Sequence, residues 1–249
     1  MRARLRILGV AGWTALWFLL WGGGTLLLLL FPRVRLHWRH FSVRHWSRGL
    51  CRILGMDCRV IGTVPRAPFL LVTNHLSYLD ILLLFTCVDG VFIAKRDMRS
   101  WPVLGLLAQL TGTIWLRREV SRDALRVALE IEHAIARGEG VVLFPEGTTS
   151  SGSGLLPFRP ALLEWAARAQ YPVHHAAIGY RTMPGDPQAQ AVLCWWGGTP
   201  FATHARGVLR LRRFEAIVNF AAEPVVASSR KELAARLHEA IGREFVPVV

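Results

Sequence analysis

Acidic side chains are missing from the first 56 residues, which carry nine arginines, whereas residues 57 to 249 hold 21 basic and 17 acidic ones. The formal charge of +13 therefore divides as +9 and +4. An imbalance of that kind places an acidic surface against the first fifth of the chain, either nucleic acid or anionic lipid. Lysine is almost absent as well, since 28 of the 30 basic residues are arginine. Cysteine is scarce: Cys51, Cys58, Cys87 and Cys194 form no C-x-x-C pair and no His-Cys spacing, so no zinc module is expected, and the thiols suit a reducing compartment. His174-His175 offers too little for a metal, because neighbours on a strand point to opposite faces. A G-x-S-x-G nucleophile elbow is lacking, because Ser151 stands where the first glycine of Gly152-Ser153-Gly154 would need to be. There is no internal repeat.

What is present is apolar length. Ile7 to Phe31 is an uncharged run of 25 residues, about 37 Å as a helix and enough for a bilayer core of about 30 Å. It exceeds a signal-peptide core and lacks a small-residue cleavage site. A single span would put arginine clusters on both sides, against the usual bias of positive charge. Gly22, Gly23 and Gly24 cost a helix about 1 kcal/mol each and predict a break there, giving a hairpin that dips into one leaflet. Its second arm runs through Leu36, Trp38, Phe41, Trp46 and Leu50, amphipathic and rich in Arg, His and Trp. The distribution of charge favours lipid over nucleic acid. Residues 1–56 are thus expected to form a membrane-embedded arm and 57–249 a separate domain.

Past the arm, strand and helix signals alternate as in an α/β domain with a mostly parallel sheet. Strands are expected at Val60-Ile61, Phe69–Val72, Val91–Ala94, Thr113–Leu116, Val141–Phe144, Val173–Ile178, Gln190–Trp196 and Phe214–Phe220. Helices are expected at Ile81–Leu84, Met98–Leu110, from a Ser121 cap to Arg137, from Pro160 to about Gln170, and from Ser229 to about Phe245.

Two breaks after buried strands carry chemistry. In the first, His75 and Asp80 are separated by four residues, and they can meet only if His75 lies at the frayed start of the following helix. A histidine held in one tautomer by a carboxylate is a general base for a hydroxyl. In the second, Phe144-Pro145-Glu146-Gly147-Thr148-Thr149-Ser150 offers tight turning, hydroxyls and free N–H groups, a concave seat for an anion. Either motif alone is weak; together they are informative.

At these residues the chain resembles the glycerolipid acyltransferase family, which includes the 1-acylglycerol-3-phosphate acyltransferases. Asn74-His75-Leu76-Ser77-Tyr78-Leu79-Asp80 resembles its first motif, Gly112 to Arg118 its second, Phe144 to Thr148 its third, and Pro172-Val173 its fourth, over roughly residues 57 to 225. The resemblance implies that His75 and Asp80 are catalytic and that Asn74, Arg118, Glu146, Gly147 and Thr148 bind substrate, with Arg118 on a phosphate and Asn74 near the developing oxyanion. It implies O-acyl transfer from acyl-CoA or acyl carrier protein to a lysolipid, foremost 1-acylglycerol-3-phosphate, with no cofactor, at the cytoplasmic face of a bacterial-type inner membrane. The departures concern the head group. Thr149 stands where the family commonly has arginine, His175 where a second proline is frequent, and Ala161 where glycine is usual. Thr149, with Trp195 or Trp196, Phe201 and His204, resembles the lyso-ornithine-lipid acyltransferase branch. A serine esterase, a metal hydrolase and a nucleic-acid binder fit less well, and a lipid-binding protein without turnover is the remaining rival.

Overall fold

The computed structural model describes residues 1–117, 119–120 and 122–249. Two long antiparallel helices come first, α1 (Arg2–Leu27) and α2 (Pro32–Leu54). The hairpin is there, but the break is not at the glycines. Helix α1 runs straight through Gly22–Gly24, and the chain reverses at residues 28–31, before Pro32 at the first position of α2. Proline lacks the N–H a continuing helix needs and disfavours helix in the residue before it, so it stops α1 where three glycines do not. Gly24 has another use: a Cβ there would sit 2.4 Å from the Trp38 ring. Tryptophan indoles stitch the pair, Trp13 donating to the Trp46 carbonyl at 2.9 Å and Trp38 to the Trp21 carbonyl at 3.2 Å. None of α1 is buried.

The α/β part follows as β1 (Met56–Ile61), β2 (Phe69–Thr73), α3 (Leu79–Phe85), β3 (Gly90–Lys95), α4 (Leu104–Leu110), β4 (Ile114–Leu116), α5 (Asp123–Ala136), β5 (Gly140–Leu143), α6 (Glu164–Arg168), β6 (Val173–Thr182), α7 (Ala189–Val192), α8 (Phe201–Arg210), β7 (Phe214–Phe220) and α9 (Arg230–Glu244). Among the described residues the strands form one seven-stranded sheet, ordered β1-β7-β6-β2-β5-β3-β4. Every neighbouring pair is parallel except β6–β7. Phe69 to Val72 are fully buried because both sheet faces are covered. Leu71, Val142 and Ile178 pack under α2, α3 and α8, while Leu70, Val141 and Val173 pack under α5, α6 and α9.

Two expected elements differ, and one element is additional. The expected 98–110 helix is a 3-10 turn at Arg96–Ser100 and then α4, separated by Trp101, Pro102 and Val103. The apolar run 190–196 is not a strand: β7 already occupies the place beside β6, so Leu193 and Cys194 are buried in a loop after the short α7. Periodicity cannot tell such a loop from a buried strand. Helix α8 has only His204 and Val208 buried and was not foreseen. The expected cap Ser121 lies outside the described residues.

The arm and the sheet domain share a core, since Val43, Leu50, Cys51 and Leu54 of α2 are buried. Several of its arginines are engaged there too. Arg39 pairs with Glu139, Arg44 with Asp89 at 2.6 Å, and Arg48 donates to the Thr86 carbonyl at 3.0 Å. These charges hold the hairpin to the domain, leaving fewer for an external acidic surface than the sequence suggested.

Candidate active site

The central strands β2 and β5 end side by side, in register from Phe69–Gly140 to Val72–Leu143, so the two motifs emerge together at the carboxyl edge of the sheet. Open parallel sheets place ligands at that edge. His75 and Asp80 do meet, with Nδ1 to Oδ2 at 2.7 Å. They do so without a frayed helix. Residues 75–77 form a loop, α3 begins at Leu79, and the Asp80 carboxylate in its first turn reaches back to accept Leu76 N–H at 2.7 Å and Ser77 N–H at 3.0 Å. The carboxylate thus closes the loop as well as orienting the ring. Its side chain is 0% exposed and that of His75 18%. With Nδ1–H facing Asp80, Nε2 carries the lone pair, the tautomer a general base requires. The ring stacks on Phe144 with centroids 3.9 Å apart.

Glu146 and Ser150 hold the backbone of His75. Glu146 accepts His75 N–H at 2.9 Å and Leu156 N–H at 3.2 Å, and Ser150 N–H donates to the His75 carbonyl at 2.9 Å. Burial pushes the Glu146 carboxyl up to about 7, with nearby Asp80 adding to the rise and the two backbone donors opposing it. A carboxyl whose folded value lies above its unfolded one favours folding most at low pH and loses that advantage as pH rises from the unfolded value of 4.5 through about 7. Wild type should therefore lose stability, by at most about 3 kcal/mol, between pH 5 and 8 relative to Glu146→Gln. Denaturant melts of both proteins across that range check this; parallel curves would show that Glu146 stays ionised throughout.

Gly147 adopts φ +72°, a left-handed turn glycine takes without strain, and a Cβ there would lie 3.3 Å from Arg159 Nε. The exposed Arg159 side chain thus lies over the turn, and the Arg159 backbone N–H donates to the Pro145 carbonyl at 2.9 Å. Arg118 lies outside the described residues. Its neighbour Arg117 is engaged with Asp123, whose carboxylate accepts both the Arg117 backbone N–H at 2.7 Å and its guanidinium.

The Asn74 side chain is engaged with the neighbouring strand. It accepts Ile178 N–H at 2.7 Å and donates to the Ile178 carbonyl at 2.9 Å, fully buried. The amide replaces backbone pairing just where β2 leaves β6. Asn74→Ala should destabilise the protein by about 2–4 kcal/mol, because it orphans two buried backbone groups. Thermal melts alongside turnover separate this from an oxyanion role, in which rate would fall while the melting point held.

Phe144, the first residue of the third motif, supplies the stacking face, a use its motif did not announce, and Tyr180, which carried no local signal, lies a hundred residues from Asp80 and donates its phenol to Asp80 Oδ1. Around the loop lie Tyr78, Trp101, Trp195 and Phe201, in edge-to-face contact, with His204 Nδ1 3.2 Å from the Tyr78 hydroxyl.

Comparison with known proteins bears on what this site does. A family model described as Acyltransferase matches residues 57–179, which contain both motifs. A lyso-ornithine lipid O-acyltransferase of Rhizobium meliloti is 40% identical over 193 residues, 73% of this chain and 66% of that protein. One of Pseudomonas aeruginosa is 35% identical over 205 residues, 82% of this chain and 78% of that protein. The chain belongs to the acyltransferase family. This acyltransferase is also 36% identical over 154 residues to a 1-acyl-sn-glycerol-3-phosphate acyltransferase of Neisseria meningitidis, 61% of this chain and 60% of that protein. In fold it is similar to the 1-acyl-sn-glycerophosphate acyltransferase PlsC of Thermotoga maritima, with TM-score 0.66 and 21% identity, over 98% of this chain and 96% of that one. The acyltransferase thus has the sheet and flanking helices expected from its sequence. Among the described residues no group of three or more His, Cys, Asp or Glu side chains is placed to hold a metal ion.

Proposed function

We propose that this acyltransferase moves a fatty acyl chain from an acyl thioester to the free hydroxyl of a lysolipid, with His75 as general base. The observation that carries the reading is the 2.7 Å contact from His75 Nδ1 to buried Asp80, with a partly exposed ring at the carboxyl edge of the sheet. Nε2 takes the hydroxyl proton as that oxygen attacks the thioester carbonyl. Asp80 stabilises the imidazolium. When the tetrahedral intermediate collapses, the carbon–sulfur bond breaks and the imidazolium returns its proton to the departing thiolate, leaving an ester and a free thiol. No acyl-enzyme and no cofactor are needed; the donor is acyl-CoA or acyl carrier protein.

For the acceptor we favour a lysolipid with an amino-acid head group, lyso-ornithine lipid. Thr149 removes a cation from the third motif, and the relatives named for that lipid align over more of the chain, 73% at 40% identity and 82% at 35%, than the one named for 1-acyl-sn-glycerol-3-phosphate, 61% at 36%. The second reading, 1-acylglycerol-3-phosphate, is supported by the Arg159 guanidinium over the turn and, in the sequence, by the arginine that ends the second motif, Arg118. Glu146, Gly147 and Thr148 shape the acceptor seat in either case.

In this reading the hairpin lies in one leaflet. Leu8, Leu16, Leu19, Leu20, Leu26 and Leu27 stand exposed on α1, which is long and apolar enough to cross a bilayer. Arg33 and Arg35, which form no ion pair among the described residues, would each contribute about 1 kcal/mol against anionic lipid. The catalytic domain would then sit at the cytoplasmic face of an inner membrane, where the lysolipid in the bilayer meets the acyl-CoA or acyl carrier protein donor. The test is acyl transfer in mixed vesicles with labelled acyl-CoA and labelled acyl carrier protein, against lyso-ornithine lipid, lysophosphatidate and lysophosphatidylglycerol. Preference for lyso-ornithine lipid supports the head-group assignment; preference for lysophosphatidate reverses it. Vesicle binding without product from any pair would favour a lipid-binding protein without turnover.

A further inference from the structure

The hydrogen bonds of Asp80 are divided unequally. Oδ2 accepts His75 Nδ1–H, Leu76 N–H and Ser77 N–H, while Oδ1 is met by the Tyr180 phenol. No other donor reaches Oδ1 among the described residues. With Asp80 fully buried, an unmet Oδ1 would be a desolvated anionic oxygen, free to rotate toward any passing donor and to carry Oδ2 away from the imidazole.

Tyr180 is placed for this by topology. The β2–β6 pairing ends at Thr73–Ala176, where β2 turns into the His75 loop, but β6 continues against β7 as far as Thr182. Tyr180 falls on that continuation, opposite Ala216 and on the same face as Ile178, so its side chain enters the space that β2 vacates. It is 3% exposed. Burial and Asp80 raise its hydroxyl well above the usual phenol range, so it is a donor at every working pH. The other titratable groups facing the pair are Glu146 from the loop after β5, Cys194 after α7, whose thiol burial pushes up to about 12, and Cys58 of β1.

We propose that Tyr180 is a positioning residue for acyl transfer: its phenol locks Asp80 so that the carboxylate meets His75 in a single orientation. The inference rests on the His75–Asp80 reading above. It makes the working unit three side chains deep, with the third member on β6, beyond the Pro172-Val173 motif that opens that strand.

The experiment compares Tyr180→Phe with wild type across pH in mixed vesicles, using whichever acceptor wild type prefers. Tyr180→Phe should lower kcat by about 5- to 50-fold with KM within twofold, because the reacting geometry loosens while the acceptor seat is untouched. The acidic limb of the kcat/KM profile should move to higher pH, since a carboxylate with one donor fewer attracts the imidazolium proton more strongly. In a His75→Ala background, Tyr180→Phe should change the residual rate by less than twofold. A merely structural tyrosine would lower the melting point without moving the pH limb. If Tyr180→Phe does not fold, 3-fluorotyrosine installed at position 180 keeps ring and hydrogen bond but donates more strongly, and the limb should move to lower pH. Unchanged kcat and an unmoved limb in either variant would overturn the proposal. Full activity in His75→Ala alone would instead overturn the reaction on which it rests.

Discussion

His75→Ala should lower acyl transfer by about 10²–10⁴-fold and leave the fold intact. The rate loss follows from removing an imidazole whose second nitrogen is held by a buried carboxylate at this edge. The preserved fold follows from what remains around Asp80. Leu76 N–H, Ser77 N–H and the Tyr180 phenol still meet its oxygens, so the deletion leaves no buried charge bare. The ring itself is partly exposed and loses mainly its stack on Phe144. Stability should change by about 1 kcal/mol or less, within the range usual for a surface site. Product from a labelled donor, measured beside a thermal melt, checks both halves. Wild-type turnover in His75→Ala would remove the general-base mechanism, and a collapsed melt would show that the residue supports the loop instead.

Asp80→Asn is expected to do both kinds of damage. The amide presents an NH₂ to one side of a site where every partner is a donor, so either Tyr180 or the cluster of His75, Leu76 and Ser77 faces a second donor. The imidazole loses its fixed tautomer, which in His–carboxylate pairs costs on the order of 10³–10⁴ in kcat. The loop between β2 and α3 loses its closure, at about 2–4 kcal/mol. A double variant with His75→Ala should be no slower than His75→Ala alone while keeping the full stability loss, because the catalytic effect passes through the histidine and the structural one does not. Additive rate losses would mean that Asp80 acts on substrate directly.

The contact between His75 and Asp80 was legible in the sequence because it is local. Four residues separate His75 from Asp80, and a carboxylate in the first turn of a helix can reach back to the N–H groups of the preceding loop whatever the rest of the chain does. The strand order was less so. Gln190–Trp196 and Phe214–Phe220 have comparable apolar character, yet only the second finds a place in the sheet, because β6 has one free edge and β7 takes it. The hairpin was readable as a reversal but not in its position, since helix propensity speaks of glycine while the turn is set by Pro32 and by the close approach of Trp38 to Gly24.

Asn74 and Glu146 show the same division at the site. Their presence in the motifs pointed to function, but which atoms they serve depends on partners far along the chain. Asn74 bonds Ile178, 104 residues on, and Glu146 bonds His75, 71 residues back. Tyr180 left no trace at all, because a tyrosine in a strand reads as ordinary core until the strand is seen to outrun its neighbour and pass beneath Asp80. By itself the sequence determined an apolar arm, an alternating α/β pattern and a histidine beside its carboxylate, because these depend on side-chain type at short spacing. The tertiary structure alone decided which buried donors complete that carboxylate, which arginines the domain keeps for itself and which face of Asn74 is in use. Those follow from pairing between strands and helices distant in sequence, and no local pattern encodes it.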